Sequence, residues 1–387
     1  MQIGLVGKPS SGKSSFFKSA TMIDVKITGI PFCTIQPNVG MGYVITECVC
    51  KKYGVKCNPK NSLCVDGKRH VPVKLIDVAG LVPDAHLGKG LGNQFLDDLR
   101  QASCLIHIVD ASGSTDAEGK TTSGYYPGND IRFLTKEIDL WFAGIVDRGM
   151  SKYKSKLKFS KLELIDVLTD QLTGLGITKG NIQKALDDVG IDDVEKFASE
   201  LRRLSKPIII ASNKIDLSGA EENLKKIKEE FPELTIIPTS AASEIALKKA
   251  NEKRLIDYKD SAFSIKDDSQ IDEKQRKGLE YIEENVLKKY GSTGIQECLN
   301  KAVFDVLDYI VVYPVADINK LTDKKDNVLP DAFLVKNGTT LKEFAFSIHS
   351  DIGEKFIGGL EAKTKRKLGA DYVLKNDDVV EILFQKR

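Results

Sequence analysis

Short, nearly continuous apolar runs recur along the chain and predict a parallel β-sheet. They are rich in β-branched residues and lie at residues 3–6, 73–77, 105–109, 207–211 and 234–238. Such runs are typical of strands covered on both faces. Helical patterns separate several of them, for example at residues 91–100 and 221–230. This alternation predicts one doubly wound α/β domain formed by residues 1–128 and 206–310.

Residues 129–205 lose the strand pattern and predict a helical insertion in that domain. Leucines recur there at approximately helical spacing, at Leu157, Leu164, Leu168 and Leu172. We interpret this apolar stripe as the insertion's own packing rather than as a groove for a partner, because most amphipathic helices face a core.

The strand pattern returns after Tyr309 and predicts a small C-terminal α+β domain at residues 311–387. Strands are expected at residues 310–314, 332–335 and 379–383, with a helix near residues 341–348. A module of about 75 residues is within the ordinary size of a domain.

The first apolar run leads directly into a phosphate-binding motif. Residues 7–14 read GKPSSGKS, which fits G-x-x-x-x-G-K-[ST], and a helical pattern follows. The backbone N–H groups there can form a nest for anions at the helix N-terminus. We expect Lys13 to reach the β- and γ-phosphates and the Ser14 hydroxyl to bind Mg²⁺. The predicted phosphate-binding residues are Gly7, Ser10, Ser11, Gly12, Lys13, Ser14 and Ser15.

A second nucleotide motif, DVAG, lies where the predicted strand 73–77 ends. Ligands of open α/β sheets bind at the carboxyl ends of the strands. The Asp77 carboxylate can hold Mg²⁺ through water there. The N–H of Gly80 can face the γ-phosphate and respond to its hydrolysis.

A third motif, NKID, follows the strand at residues 207–211 and predicts recognition of guanine. The Asp216 carboxylate can accept hydrogen bonds from guanine N1–H and the exocyclic amine, a donor pair that adenine lacks. The aliphatic stem of Lys214 can lie against the base, beside Asn213. Ser240 and Ala241 follow the next strand and can offer a backbone N–H to the guanine oxygen. We therefore expect GTP and GDP as ligands.

Composition narrows the class of protein. Acidic and basic residues nearly cancel, with a net charge of +2, so no global field indicates nucleic acid. No apolar stretch approaches about 18 residues, so we expect no membrane span. The seven cysteines, an odd number, favour reduced thiols and a cytoplasmic protein.

Four of those cysteines, Cys48, Cys50, Cys57 and Cys64, lie close together in an insertion between predicted strands. Four thiols in a short loop can form a structural Zn²⁺ site. The spacing lacks the paired C-x-x-C knuckles of such sites, however. The sequence therefore favours ordinary reduced cysteines over zinc.

Three segments around the nucleotide motifs resemble the YchF group of Obg-related GTPases. They are PFCTIQPN at residues 31–38, DVAGLV at residues 77–82 and GKGLGNQFL at residues 88–96. Residues 372–382 resemble the end of a TGS domain, a β-grasp module. The resemblance covers essentially the whole chain, and the helical insertion also belongs to that architecture.

The resemblance implies that Thr34 is the switch threonine that joins the Mg²⁺ shell. Thr34, Lys13 and Gly80 would then form the catalytic set, and Ser14, Thr34 and Asp77 the metal-binding set. Leu81 stands where many GTPases have the glutamine that orients the attacking water. Because leucine cannot hydrogen-bond water, the resemblance implies another source of catalysis or a slow intrinsic rate.

Two positions depart from the pattern of this group. Many of its members have Asn-x-x-Glu as the base-reading motif and favour ATP, whereas Asp216 argues for GTP. The group's loop usually has an Asn that helps to hold a monovalent cation. Ser10 occupies that place, which argues against activation by K⁺.

Two functions remain open from the sequence. The first is a slow GTPase switch that uses Mg²⁺ and docks on a ribosome or RNA through the TGS domain and the helical insertion. TGS domains are associated with RNA, and the run Lys363, Lys365, Arg366 and Lys367 is either an RNA-facing surface or a solvated face. The second is a binding regulator in which hydrolysis is incidental.

Overall fold

The computed structural model describes residues 1–22, 38–78, 92–151 and 161–385. These residues divide into two compact units. The first unit comprises the described residues within 1–24, 36–40 and 74–298. The second comprises those within 41–73 and 299–387.

The described residues form strands and helices throughout. The strands are β1 Gln2–Val6, β2 Val39–Glu47, β3 Leu63–Val65, β4 Lys68–Asp77, β5 Cys104–Asp110, β6 Ile208–Asn213, β7 Thr235–Pro238, β8 Ile256–Lys259, β9 Ala262–Ile265, β10 Tyr309–Val315, β11 Phe333–Lys336, β12 Phe356–Glu361, β13 Lys367–Leu368 and β14 Asp378–Phe384. The α-helices are α1 Lys13–Thr21, α2 Cys50–Tyr53, α3 Gly92–Gln101, α4 Gly128–Ser151, α5 Lys161–Leu172, α6 Lys179–Val189, α7 Val194–Ser205, α8 Ala220–Glu230, α9 Ala241–Glu252, α10 Glu273–Ile282, α11 Lys288–Tyr290, α12 Ile295–Asn300, α13 Leu341–Ile348 and α14 Ser350–Glu354. Short 3-10 helices lie at Thr173–Leu175 and Asp268–Gln270, and π-helical segments at Glu283–Leu287 and Lys301–Val306.

The first unit contains the predicted parallel sheet. Its strand order is β4-β1-β5-β6-β7, and each neighbouring pair is parallel. Every residue of β5 and β6 is buried, as expected of strands covered on both faces. Because the strands are parallel, their carboxyl ends share one edge, where the candidate site lies. The doubly wound α/β prediction is confirmed.

The helical insertion lies between β5 and β6. From residue 128 to residue 205 the described residues form helices α4 to α7 and no strand. Side chains on these helices, such as Phe142, Leu168 and Phe197, are fully buried in one core that also includes Val109 of the sheet. The apolar stripes therefore pack against one another and against the sheet.

The first unit also contains a hairpin that the sequence did not predict. Strands β8 and β9 pair antiparallel through the two-residue loop Asp260 and Ser261. Both loop residues have positive φ, at 49° and 63°. Two positive φ angles in a two-residue loop match the twist of the flanking strands.

The second unit contains the C-terminal sheet. Its strand order is β11-β10-β14-β12-β13, with β10 and β14 parallel and the other pairs antiparallel. Helix α13 covers one face and buries Leu341 and Phe344 against Val312 and Val380. It begins at a capping box formed by Thr340 and Glu343. The predicted helix and three of the strands are confirmed, whereas β12 and β13 were not predicted.

Residues 41–73, which the sequence assigned to the nucleotide domain, group with the C-terminal residues in the second unit. They include β3, which pairs antiparallel with the start of β4. The predicted domain boundaries stay a prediction. No helix among the described residues combines the length and apolarity needed to cross a bilayer.

Candidate nucleotide-binding site

The loop between β1 and α1 has the backbone geometry of an anion-binding nest. Ser10 and Gly12 both have positive φ, at 61° and 94°, and Gly12 caps the N-terminus of α1. Alternation of left-handed and right-handed residues turns successive N–H groups toward one side. Ser11 is fully buried, and its Oγ has no hydrogen-bond partner among the described residues. The loop therefore offers several donors at the head of a helix.

Lys13 lies between this loop and the end of β4. Its Nζ is 2.5 Å from Asp77 Oδ1 and 2.6 Å from the Val78 carbonyl oxygen. The register of β1 against β4 pairs Leu5 with Asp77, which brings the DVAG motif beside the phosphate loop. The structure thus brings together two motifs that are far apart in sequence.

The oxygen atoms near Lys13 fit the preferences of Mg²⁺. Ser14 is exposed on the first turn of α1, and the Asp77 carboxylate stands at the end of β4. Hydroxyl and carboxylate oxygens are the hard donors that Mg²⁺ takes in phosphate sites. Thr34 and Gly80, the other predicted members of the catalytic and metal-binding sets, lie outside the described residues, as does Leu81.

The second residue of the loop motif, Lys8, is held by a buried ion pair. Its Nζ is 2.9 Å from Asp130 Oδ2 and 2.8 Å from the carbonyl oxygen of Thr115. It also lies 4.0 Å from the ring centroid of Tyr125, whose hydroxyl donates to Asp130. Because Asp130 is in the first turn of α4, this pair fastens the phosphate loop to the start of the helical insertion. No sequence motif marked these partners.

Asn213 links the glycine-rich loop to the loops that the sequence predicts to read the base. Its Nδ2 donates to the Ser11 carbonyl oxygen at 2.9 Å, and its Oδ1 accepts from the Ala241 N–H at 3.1 Å. The side chain is almost completely buried, so both hydrogen bonds form away from water. One amide therefore sets the spacing between the predicted phosphate end and the predicted base end of the candidate site.

Lys214 is fixed by an aspartate that the sequence motifs did not mark. Its Nζ lies 2.9 Å from Oδ2 of Asp110, a fully buried carboxylate at the end of β5. Burial raises the pKa of Asp110, but hydrogen bonds from Ser112, Lys214 and Thr115 outweigh it and lower the pKa below its usual value. The carboxylate is therefore charged at neutral pH and anchors the Lys214 ammonium. An Asp at the carboxyl end of a buried strand, on the same edge as Asn213, was the available signal.

Asp216 is oriented by a side chain for which the sequence predicted a different role. The Ser240 hydroxyl donates to Asp216 Oδ1 at 2.7 Å, and Ser240 also caps α9. The sequence predicted that Ser240 or Ala241 could offer a backbone N–H to the guanine oxygen, but both N–H groups have protein acceptors. That of Ser240 donates to the Thr293 carbonyl at 3.0 Å, and that of Ala241 donates to Asn213. Tyr281, which the sequence also left unmarked, donates its hydroxyl to the Asp216 carbonyl at 2.6 Å.

Glycine is required at position 12 for two reasons: the Asn213 side chain packs closely against it, and its backbone is left-handed. A Cβ at this position would lie 2.2 Å from Asn213 Nδ2, inside contact distance. We expect Gly12→Ala to displace the Asn213 amide and to weaken nucleotide binding. The left-handed backbone costs an alanine about 1–2 kcal/mol, and the loss of two hydrogen bonds adds about 2–3 kcal/mol. Urea denaturation and nucleotide titration measure both effects.

The matched control is Gly176→Ala. Gly176 has a φ of 73°, and nothing lies within 4 Å of its added Cβ. It should therefore show the backbone cost alone, with nucleotide affinity unchanged. Equal losses of stability in the two variants would contradict the role given to the Asn213 contact.

Comparison with known proteins identifies the class of each region. Residues 2–133 match the family described as 50S ribosome-binding GTPase. Residues 211–317 match the Obg-like GTPase YGR210-like, G4 motif-containing domain, and residues 325–384 match the TGS domain. Together with the observed sheet, these matches define a P-loop GTPase domain followed by a TGS domain.

Similar proteins extend over the whole chain. A GTP-binding protein of Methanocaldococcus jannaschii is 50% identical over 388 residues, which cover 98% of each chain. The crystal structure of a GTP binding protein from Pyrococcus horikoshii OT3 is 38% identical, with a TM-score of 0.79 and full coverage of both chains. The Ribosome-binding ATPase YchF of Bacillus subtilis is 26% identical over 98% of each chain. The chain belongs to the YchF-type GTPases of the Obg family.

Proposed function

We propose that this protein binds GTP and hydrolyses it to GDP and phosphate with Mg²⁺, as a slow switch that acts with a ribosome or RNA. The observation that supports this most strongly is the construction of the base-reading end. Asp216 is held by Ser240, and Lys214 is held by the buried Asp110. Preorganised groups of this kind are needed where a site must distinguish two bases.

The Asp216 carboxylate retains the capacity to read guanine. A carboxylate has about four acceptor positions, and the Ser240 hydroxyl uses one of them. Guanine N1–H and the exocyclic amine can occupy two others. With adenine those acceptors would face no donor pair, and unmade hydrogen bonds in a site of this kind are costly. We therefore propose GTP as the preferred nucleotide.

At the phosphate end, Lys13, Ser14 and Asp77 are the described residues that would hold the triphosphate and its metal ion, with Thr34 expected to join them. When bound, Mg²⁺ neutralises charge on the β- and γ-phosphate oxygens. The nest at Ser10 to Gly12 would orient the phosphates, and Lys13 would place a positive charge beside them. The leucine at position 81 offers no hydrogen bond to water, so we propose a slow intrinsic rate.

Two alternatives have specific support. Relatives carry the name Ribosome-binding ATPase, which favours ATP, whereas Asp216 and its partner Ser240 favour GTP. A binding regulator with incidental hydrolysis would use the same site. It differs from a switch in one respect, since its turnover would not rise when the partner is added.

GTP turnover with and without ribosomes tests the proposal. We expect addition of ribosomes to raise turnover, and we expect Lys363→Glu, Arg366→Glu and Lys367→Glu combined to reduce both that rise and cosedimentation. These three side chains are exposed on the C-terminal module. Lys365 is spared because its Nζ donates to the Ile318 carbonyl at 2.8 Å and supports the fold. If a replaced side chain had bound a phosphate, the slope of log K against log[salt] should also become shallower by about one unit for that side chain.

A matched control reverses the charge of Lys336 and Lys342, which are exposed elsewhere on the same module. That variant should retain both activation and cosedimentation. Turnover that stays constant when ribosomes are added would favour the regulator. Equal cosedimentation of the triple variant and the unmodified protein would reject the basic run as the contact surface.

A further inference from the structure

Four cysteine sulfur atoms converge in the second unit, outside the nucleotide site. Cys48 follows β2, Cys50 begins α2, Cys57 lies in the next loop and Cys64 is in β3. All four Sγ atoms lie within 4.8 Å of one another. The Cys48–Cys57 and Cys50–Cys64 separations are both 3.9 Å. The fold thus gathers thiols that the sequence spacing did not mark as a metal site.

The two separations of 3.9 Å match a metal centre. Four thiolates around Zn²⁺, each with a bond of about 2.3 Å, place neighbouring sulfurs ~3.8 Å apart. A disulfide would bring two of them to about 2.05 Å. We propose that Cys48, Cys50, Cys57 and Cys64 bind one structural zinc ion in a closed, tetrahedral site.

Backbone turns replace the paired knuckles that the sequence lacks. The Lys51 N–H donates to the Cys48 carbonyl at 3.2 Å, and the Val55 N–H donates to the Cys50 carbonyl at 3.1 Å. The Cys48 N–H donates to the Gly67 carbonyl at 2.8 Å, which joins this turn to the β3–β4 hairpin that carries Cys64. These backbone hydrogen bonds therefore bring the segments that carry Cys48, Cys50 and Cys64 close together.

The charge around the cluster also fits a bound thiolate centre. Arg69 is completely buried, with one guanidinium nitrogen 4.0 Å from Cys48 Sγ and the other donating to the Leu329 carbonyl at 2.7 Å. Burial raises the pKa of the half-buried Asp331 and the Arg69 guanidinium opposes that rise, but among the described residues no carboxylate lies within ion-pair distance of Arg69. A buried cation is costly unless an anion accompanies it. Zinc bound by four thiolates carries a net charge of about −2 and would supply a closer anion, next to Cys48 Sγ.

The cluster lies beside a hydrogen-bonded seam that the same loop forms with the C-terminal module. The Asn58 N–H donates to the Val328 carbonyl at 3.0 Å, and the Lys60 N–H donates to the Pro330 carbonyl at 2.7 Å. The Asn61 amide exchanges two hydrogen bonds with the Ala332 backbone, at 2.9 and 3.0 Å. Zinc at Cys57 would fix the loop that forms this seam, and so hold residues 327–332 in place.

Metal analysis of the purified full-length protein tests the proposal. We expect about one zinc ion per chain, and we expect Cys57→Ser with Cys64→Ser to lose it. Cys104→Ala is the matched control, because Cys104 is a buried cysteine in β5, outside the cluster. Replacement of the zinc by Co²⁺ should give the thiolate charge-transfer absorption of a tetrahedral centre. Zinc below about a tenth of an ion per chain, iron in its place, or disulfides among these cysteines would overturn the proposal.

A second measurement avoids the risk that the cysteine variants misfold. Removal of the metal from the unmodified protein by a chelator should increase amide exchange in residues 58–61 and 327–332. Amide exchange in α13 of the same module should change much less, because this helix packs in the separate core around Phe344. Metal removal that leaves both segments as protected as before would contradict the link between the cluster and the seam.

Discussion

Lys13→Ala should reduce GTP hydrolysis by at least about a hundredfold, because it removes the charge that we propose lies beside the β- and γ-phosphates. Loss of one preorganised group that stabilises transition-state charge typically lowers kcat by about 10²–10³. Ser14→Ala should have a similar effect through loss of a Mg²⁺ ligand. Single-turnover experiments measure the hydrolysis rate of each variant, and titration with a fluorescent GTP analogue measures its affinity for the nucleotide.

Lys18→Ala is the matched control for Lys13→Ala. Lys18 is an exposed lysine on the same helix, one turn beyond the phosphate loop. Its removal changes the net charge equally and should leave hydrolysis unchanged. Hydrolysis that survives undiminished in Lys13→Ala or Ser14→Ala would show that the phosphates bind elsewhere.

The second large effect concerns the base. The unmodified protein should bind GTP at least about a hundredfold more tightly than ATP, a difference of roughly 2.7 kcal/mol. Asp216→Asn should weaken GTP and improve XTP, because it replaces an acceptor with a donor suited to xanthine. The Asn oxygen can still accept from the Ser240 hydroxyl, so we expect the loop to keep its conformation.

Side-by-side titrations with GTP, ATP and XTP measure this prediction. Glu221→Gln serves as a control, since Glu221 is an exposed acid on α8 and should not alter base preference. Comparable affinities for GTP and ATP in the unmodified protein would mean that Asp216 does not read the base.

The motifs of the candidate nucleotide site are visible in the sequence because they are local. Glycine at position 12 permits the left-handed turn, and a helix must follow for its N–H groups to face the phosphates. The side-chain partners could not be predicted. Asn213 reaches Ser11, and Lys214 reaches Asp110, across 202 and 104 residues of sequence. Contacts at such separations depend on strand order and register, which a linear pattern does not contain.

The four clustered cysteines are a second case in which the linear sequence did not reveal a spatial arrangement. Their spacing argued against a metal site, because local knuckles were the only signal that sequence could offer. The structure brings the four sulfurs together through turns at Cys48 and Cys50 and through the pairing of β3 with β4. Metal-site geometry depends on sulfur positions in space, and different backbone arrangements can produce it.

By itself, the sequence determined the parallel sheet, the glycine-rich loop at the end of its first strand and the C-terminal module, and it contained the NKID motif from which we propose recognition of the base. Periodic burial and the backbone limits of glycine act over a few residues, so they are visible in the chain. Only the tertiary structure decided which side chains fasten those motifs to one another, and which residues group with the C-terminal module. Those contacts form between distant segments, and packing and strand register select them.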